Sequence, residues 1–244
     1  MKEQYEHRAR TFLPRRTFTI LRLDGRAFHS YTRGLDRPFD QRFMDDMATT
    51  AKFLCEEVSR AAFAYTQSDE ISLLLTDFAT NQTEAWFGGN VQKMVSISAA
   101  IATARFNELR PGKLAMFDSR AFTIPDPTEV ANYFVWRQKD ATRNSISMAA
   151  QAFFGPGQLH GVSCDAMQEM LFSERGINWN DYPDRFKRGT LVATEIQVGP
   201  VTYINKRTNE ERTTEDVERR TWTTSAASIF TQTDWLKLNI PEYG

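Results

Sequence analysis

The stretch AYTQSDEISLLL, beginning at Ala64 and ending at Leu75, constrains this chain more than any other. Two strand-like runs, 61–65 and 71–75, flank a polar step of Thr66, Gln67 and Ser68 and two adjacent acids, Asp69 and Glu70. Apolar runs on either side of so short a break read as a hairpin. Carboxylates where apolar strands begin or end are costly to desolvate unless something binds them, so the stretch asks for a cation. A second acid of this kind lies upstream, where the strand-like run 17–23 closes in Asp24-Gly25.

The segments around these acids supply an order. After Asp24, Asp40 caps a helix in which Phe43, Met44, Met47, Ala48, Ala51, Leu54, Cys55 and Val58 recur at three- and four-residue steps, the pattern of one buried face. The hairpin follows, then a helix over 91–109 and a strand over 114–122. Asp126-Pro127-Thr128-Glu129 starts a long helix over about 127–154, with an N-cap acid, proline at the first helical position and glutamate at the third. The doubled β-α-β-β-α-β order predicts an α+β fold: a ferredoxin-like palm domain over 1–155, an antiparallel sheet with helices on one face. Beyond Gly155-Pro156-Gly157 the composition changes, and 156–244 is expected to form a C-terminal extension packing on that core. In it we expect a short helix over 164–172, a hairpin of 190–198 and 201–205 about Gly199-Pro200, and a solvated face of mixed charge over 205–220.

Composition narrows the function. The chain has 244 residues and 30 basic against 31 acidic side chains, which excludes a globally basic nucleic-acid binder but not a local basic surface. Cys55 and Cys164 form no C-x-x-C pair, and His7, His29 and His160 are scattered, so a Cys/His zinc site is not expected. Cys55 falls on the apolar helical face and reads as a buried, inert thiol. Residues 1–10 are charged, with no apolar core of signal-peptide length, and no later run approaches a membrane span. The expectation is a cytoplasmic protein with no membrane partner.

In a β-α-β-β arrangement the first strand can lie beside the hairpin, bringing Asp24 and Asp69 to one edge of the sheet. Hard oxygen ligands in that number suit Mg²⁺, and two such ions about 3.5–4 Å apart favour in-line phosphoryl or nucleotidyl transfer. Side chains alternate along a strand, so Asp69 and Glu70 cannot both be direct ligands without a local bend, and Asp69 is ranked above Glu70. The segment Gly25-Arg26-Ala27-Phe28-His29 offers backbone N–H groups for an anion, with Arg26 or His29 adding charge. Lys93, in the first turn of a helix, is a candidate phosphate contact. Each piece alone also reads as an ordinary turn or a solvent-facing charge.

Five successive segments, LRLDGRAFHSYTR, DRPFDQRFMDDM, AYTQSDEISLLL, WRQKDATRNS and FKRGT, resemble signatures of the tRNA-histidine guanylyltransferase superfamily, in order from about Leu21 to Thr190. The resemblance implies a palm fold that works in the 3′-to-5′ direction. A 5′-monophosphorylated tRNA, or a tRNA-like RNA, is activated by ATP or GTP and then attacked by the 3′-hydroxyl of an incoming nucleotide, with two Mg²⁺ ions assisting. It implies Asp24, Asp69 and the Gly25 carbonyl as metal ligands and Glu70 as the third family acid. It also implies Gly25, Arg26, Ala27, Phe28 and His29 as the triphosphate turn, Ser68, Arg37 and Asp40 at the nucleotide, and Lys93 near phosphate, although the position three before it is Asn90 rather than arginine. Asn144, Lys187 and Arg188 are the implied RNA contacts, the C-terminal extension is an RNA-contacting region, and a homotetramer is the implied assembly.

Members that add a guanosine to histidine tRNA carry His-Ile-Asn-Asn where this chain reads Thr142-Arg143-Asn144-Ser145. A branch lacking that tetrapeptide repairs 5′-truncated tRNAs by template-dependent addition, and the resemblance favours that branch. The rival readings are a guanylyltransferase specific for histidine tRNA, another two-metal palm enzyme such as a nucleotide cyclase, and a catalytically silent RNA-binding module.

Overall fold

A computed structural model describes residues 1–243. The chain runs through β1 (Phe18–Gly25), a helical turn α1 (Phe28–Tyr31), α2 (Gln41–Glu57), β2 (Ala61–Gln67), β3 (Glu70–Leu75), α3 (Val91–Leu109), β4 (Phe117–Ile124) and α4 (Pro127–Gln151). Then come α5 (Pro156–Leu159), α6 (Cys164–Arg175), α7 (Asp184–Arg188), β5 (Thr190–Ile204), β6 (Glu211–Ala226) and α8 (Trp235–Asn239). The strands build one six-stranded sheet in the order β4-β1-β3-β2-β5-β6, every neighbouring pair antiparallel. The α+β antiparallel architecture is the expected one.

The coverage of the sheet is broader than expected. Leu21, Leu23, Ala64, Ile71 and Leu73 pack with residues of α2 and α3 on one face. Ile20, Phe63, Tyr65 and Leu74 pack on the other face with Val130, Tyr133, Phe134 and Ala141 of α4 and with the C-terminal Leu236 and Ile240. The reason is legible in β3, which is buried at every residue. Leu73 and Leu74 point to opposite faces, and each large apolar side chain left in water would forgo about 1.5–3 kcal/mol. One layer of helices therefore cannot satisfy this sheet.

Helix starts follow the sequence signals. The Asp40 carboxylate accepts the Phe43 N–H at 2.7 Å and caps α2, and Asp126 accepts the Thr128 and Glu129 N–H groups at 2.7 and 3.3 Å and caps α4. α4 stops at Gln151, short of the expected 154, and α6 runs past 172 to Arg175, where Gly176 in the left-handed region (φ 66°) closes it.

The C-terminal part differs most. β5 pairs with β2 through Ala64↔Val192, Tyr65↔Leu191 and Thr66↔Thr190, so residues after 156 extend the same sheet. The expected hairpin about Gly199-Pro200 is not there. β5 continues through that pair to Ile204, with a register shift between Gly199 and Val201, and the chain reverses only after it to pair β6 along its length. Proline lacks the N–H that a regular ladder needs, so it is tolerated at an irregularity rather than forming the turn. The mixed-charge segment is thus largely strand β6, exposed along most of its length. Among the described residues, no helix is long and apolar enough to cross a membrane.

Candidate active site

The acids meet at the ends of β1 and the β2–β3 turn. Gln67 pairs with Glu70, leaving Ser68 and Asp69 as a two-residue turn with Ser68 left-handed at φ 50°. The Gly25 N–H donates to the Asp69 carbonyl at 3.1 Å and ties the end of β1 to that turn. Gly25 has no alternative, because a Cβ there would lie 2.3 Å from the Phe28 ring. Burial pushes the Asp69 carboxyl up to a pKa of about 6, and the neighbouring Asp24 carboxylate adds to the rise.

Asp24, Gly25, Ser68 and Asp69 line a cleft of about 820 Å³. Its walls are Ala27, Phe28 and His29 at the start of α1, the loop residues Arg33 and Arg37, Asp40 at the cap of α2, and Met148, Gln151 and Ala152 at the end of α4. Of the expected anion turn, the Gly25 and Arg26 N–H groups are already engaged, the latter to the Met116 carbonyl at 2.8 Å. Ala27, Phe28 and His29 are the part that remains at the cleft. Arg26 is exposed and does not line it. A smaller apolar slot shares Asp40, Phe43, Ser68 and Met148 with the cleft and holds Asn144, Ser145, Arg185 and Phe186.

Glu70 is not brought to the cleft. Its carboxylate is buried on the α4 side of the sheet, where Arg137 of α4 donates to it bidentately at 2.6 and 2.7 Å and Arg22 of β1 pairs with it at 2.7 Å. Lys93 is also elsewhere. Its helix α3 begins beside Gly89 and Met94, which border Thr19 and Leu75 at the opposite end of the strands from Asp24. β3 runs away from the acids and ends at Leu75, and α3 starts at that same end, which puts the helix N-terminus at the wrong end for the cleft in the same chain. Lys187 is buried, donating to the Asn180 carbonyl at 2.6 Å and pairing with Asp184 at 3.1 Å. Arg188 pairs with the same Asp184. Neither cation is free for RNA here.

Two kinds of residue escaped sequence reasoning. Arg33 lines the cleft beside Arg37, and the signal for it is its place in the basic loop RGLDR. Arg22 and Arg137 lie inside conspicuous motifs, and strand periodicity could have found Arg22, two residues before Asp24 and so on the same face.

The donor set fits a hard divalent cation. The rise in Asp69 has no cationic counterweight, and two carboxylates with a backbone carbonyl match the one or two carboxylates Mg²⁺ takes from protein before water and phosphate complete its shell. No group of three or more His, Cys, Asp or Glu residues suited to a metal occurs among the described residues, so the site as it stands offers two carboxylates rather than three.

An antiparallel palm-type sheet with paired acids at its strand ends is a framework suited to metal-assisted phosphoryl or nucleotidyl transfer. Known proteins give it a family. The family model described as Thg1, tRNAHis guanylyltransferase, matches residues 1–125. A bacterial tRNA(His) guanylyltransferase (Thg1)-like protein solved with ATP is 38% identical with a TM-score of 0.84, the match covering 98% of this chain and 96% of that one. A structure of such a bacterial protein with GTP gives 38% identity and a TM-score of 0.78, over 94% and 92% of the two chains. The tRNA(His) guanylyltransferase of Eremothecium gossypii is 28% identical over 219 residues, 80% of this chain and 90% of that protein. The chain belongs to the tRNAHis guanylyltransferase family.

Proposed function

We propose that this protein is a template-dependent 3′-to-5′ nucleotidyltransferase that repairs the 5′ ends of tRNA or tRNA-like RNA, using ATP or GTP for activation. The observation that carries the reading is the pairing of Asp24 with the desolvated Asp69 at the floor of a cleft large enough for a nucleoside triphosphate. Thr142-Arg143-Asn144-Ser145 in place of His-Ile-Asn-Asn favours template-directed repair over strict histidine specificity.

Each group has a task in this reading. Asp24, Asp69 and the Gly25 carbonyl hold the divalent cation, proposed as two Mg²⁺ ions, which when bound stabilises charge on the transferring phosphoryl group. The Ala27–His29 N–H groups, with Arg33 and Arg37 at the rim, orient the triphosphate. Ser68 and Asp40 border the nucleotide, although the two Asp40 oxygens already accept the Phe43 and Asp36 N–H groups. Glu70 acts through Arg22 and Arg137, fixing β1, β3 and α4 so that the two acids keep their spacing. Base pairing with the opposing strand selects the nucleotide. Lys93 serves phosphate only where one copy's α3 faces another copy's cleft, which a homotetramer permits. The segment 156–244 serves as an RNA-contacting extension, with Asn144 beside the cleft, in a cytoplasmic enzyme.

The test uses a 5′-monophosphorylated tRNA lacking its first nucleotide, with Mg²⁺, ATP and GTP, and maps the 5′ end. Addition that follows the opposing base and disappears in Asp69→Asn supports the reading. Untemplated guanosine confined to histidine tRNA supports the histidine-specific enzyme instead, and cyclic nucleotide formed without RNA supports a cyclase.

A further inference from the structure

The motif Trp136-Arg137-Gln138 sends its three side chains three ways. Gln138 anchors α4 to the C-terminal segment, its amide donating to the Ser228 carbonyl at 2.7 Å and accepting the Phe230 N–H at 2.9 Å. Arg137 is buried against Glu70. Trp136 points outward and is 52% exposed, unlike the buried Trp86 and Trp179.

This exposed indole is held rigidly. The Arg137 guanidinium lies over one face, 4.4 Å from the ring centroid, and is itself fixed by the bidentate pair with Glu70. Arg22 approaches at 5.8 Å and the Tyr133 ring packs edge-on at 5.9 Å. About half of the residue is left to solvent. A pre-oriented, half-exposed aromatic offers a stacking surface whose ordering cost is already met.

Its position and surroundings indicate what stacks there. Arg22 and Asp24 project from the same face of β1, one two-residue step of about 7 Å apart. Trp136 therefore stands next to the acid end of the sheet. Lys139 and Arg143 follow it on α4 at i+3 and i+7, both exposed, and Gln151, further along α4, lines the cleft. From Trp136 to Gln151 the helix spans about 22 Å. Arg120, opposite Arg22 on β4, is also exposed. Asp140 and Asp118 offset part of this charge through Arg143 and Arg120, leaving Lys139 outside these pairs. A flat aromatic among cations suits a nucleobase with flanking phosphates better than an apolar protein surface.

We infer that Trp136 is a stacking platform for an unpaired base of the RNA substrate, with Lys139 and Arg143 following the adjoining phosphates toward the cleft. The inference rests on the proposed RNA substrate. The test is binding and steady-state kinetics with the truncated, 5′-monophosphorylated tRNA, using Trp136→Ala, Trp136→Phe and Lys139→Ala. Trp136→Ala is expected to raise Kd and KM for the RNA roughly tenfold while the KM for nucleotide stays level, and Trp136→Phe to recover most of the loss. Lys139→Ala is expected to weaken binding on all RNA sequences alike and to lower the salt slope of log K by about 0.7–0.9. Unchanged RNA affinity in Trp136→Ala overturns the inference, as does a loss of affinity accompanied by dissociation on size exclusion, which makes Trp136 a subunit contact. Failure of the wild-type protein to bind or extend the RNA at all defeats the proposed function instead.

Discussion

Asp69 and Glu70 are consecutive acids, yet the sheet treats them in opposite ways. Glu70 is 4% exposed and compensated, its two oxygens shared between the Arg137 and Arg22 guanidinium groups. Asp69 sits in the turn that lines the cleft, and burial raises its pKa to about 6 with a second carboxylate for a neighbour and no cation to offset it. The compensated acid is a joint between three elements. The uncompensated one gains from a cation placed beside it, and this is the property a metal-binding carboxylate needs.

The largest expected effect tests the uncompensated acid. Asp69→Asn keeps the shape and removes the charge, so extension of the truncated tRNA should fall by about 10²–10³ in kcat or more, while the metal-free protein stays at least as resistant to urea as wild type. A variant that unfolds readily and retains activity would reverse the roles given to the two acids.

The next tests the compensated acid. Arg137→Met leaves the Glu70 carboxylate buried with Arg22 alone, and breaking such a pair from one side costs about 3 kcal/mol, a fall in Tm of roughly 6–12 °C. Adding Glu70→Gln should restore a large part of that loss, since no buried carboxylate is then short of a partner. If the double variant is no better than the single one, Arg137 stabilises α4 by packing rather than by charge.

The third separates the two acids by pH. In metal-free protein the folded-state pKa of Asp69 lies near 6, above its ordinary 3.8, so the folded state holds this proton more tightly than the unfolded chain. Stability from this group is fullest below about pH 4, is lost as pH rises to about 6 and is level above that, a total of about 2–3 kcal/mol. Subtracting the urea-unfolding profile of Asp69→Asn from that of wild type should expose this slope. Saturating Mg²⁺ should abolish it.

Much of this comparison was legible in the sequence, and the reasons are local. The Asp40 and Asp126 caps, the spacing of apolar residues along α2, and the polar interruption at Ser68–Asp69 are short-range signals that need no tertiary context. Alternation alone says that Asp69 and Glu70 cannot both be ligands without a local bend, and the two arginines on Glu70 decide between them. What stayed hidden depends on partners far along the chain. Arg137 lies 67 residues from Glu70, and no local pattern reports that pairing. The placement of β5 beside β2, the packing of α4 on the second face and the removal of Lys93 to the far end are matters of strand order. The continuation of β5 through Gly199-Pro200 shows a turn signal overridden by a long antiparallel ladder.

The smallest expected effect asks how far the joint at Glu70 extends. Ser72 Oγ lies 2.8 Å from the Tyr133 hydroxyl and 3.5 Å from a Glu70 oxygen, linking β3 to α4 beside the Arg137 pair. Burial pushes the Tyr133 phenol up to a pKa of about 12, so it remains a neutral hydrogen-bonding group across the working range. Tyr133→Phe removes one neutral hydrogen bond and leaves Ser72 able to turn toward Glu70, which should cost about 1 kcal/mol, or roughly 2–4 °C in Tm. The kcat and the KM for nucleotide should both hold, because the Glu70 ion pairs that fix the strand ends are untouched. A fall in kcat out of proportion to the loss of stability would show that the joint reaches the acids through Ser72 as well as through the arginines.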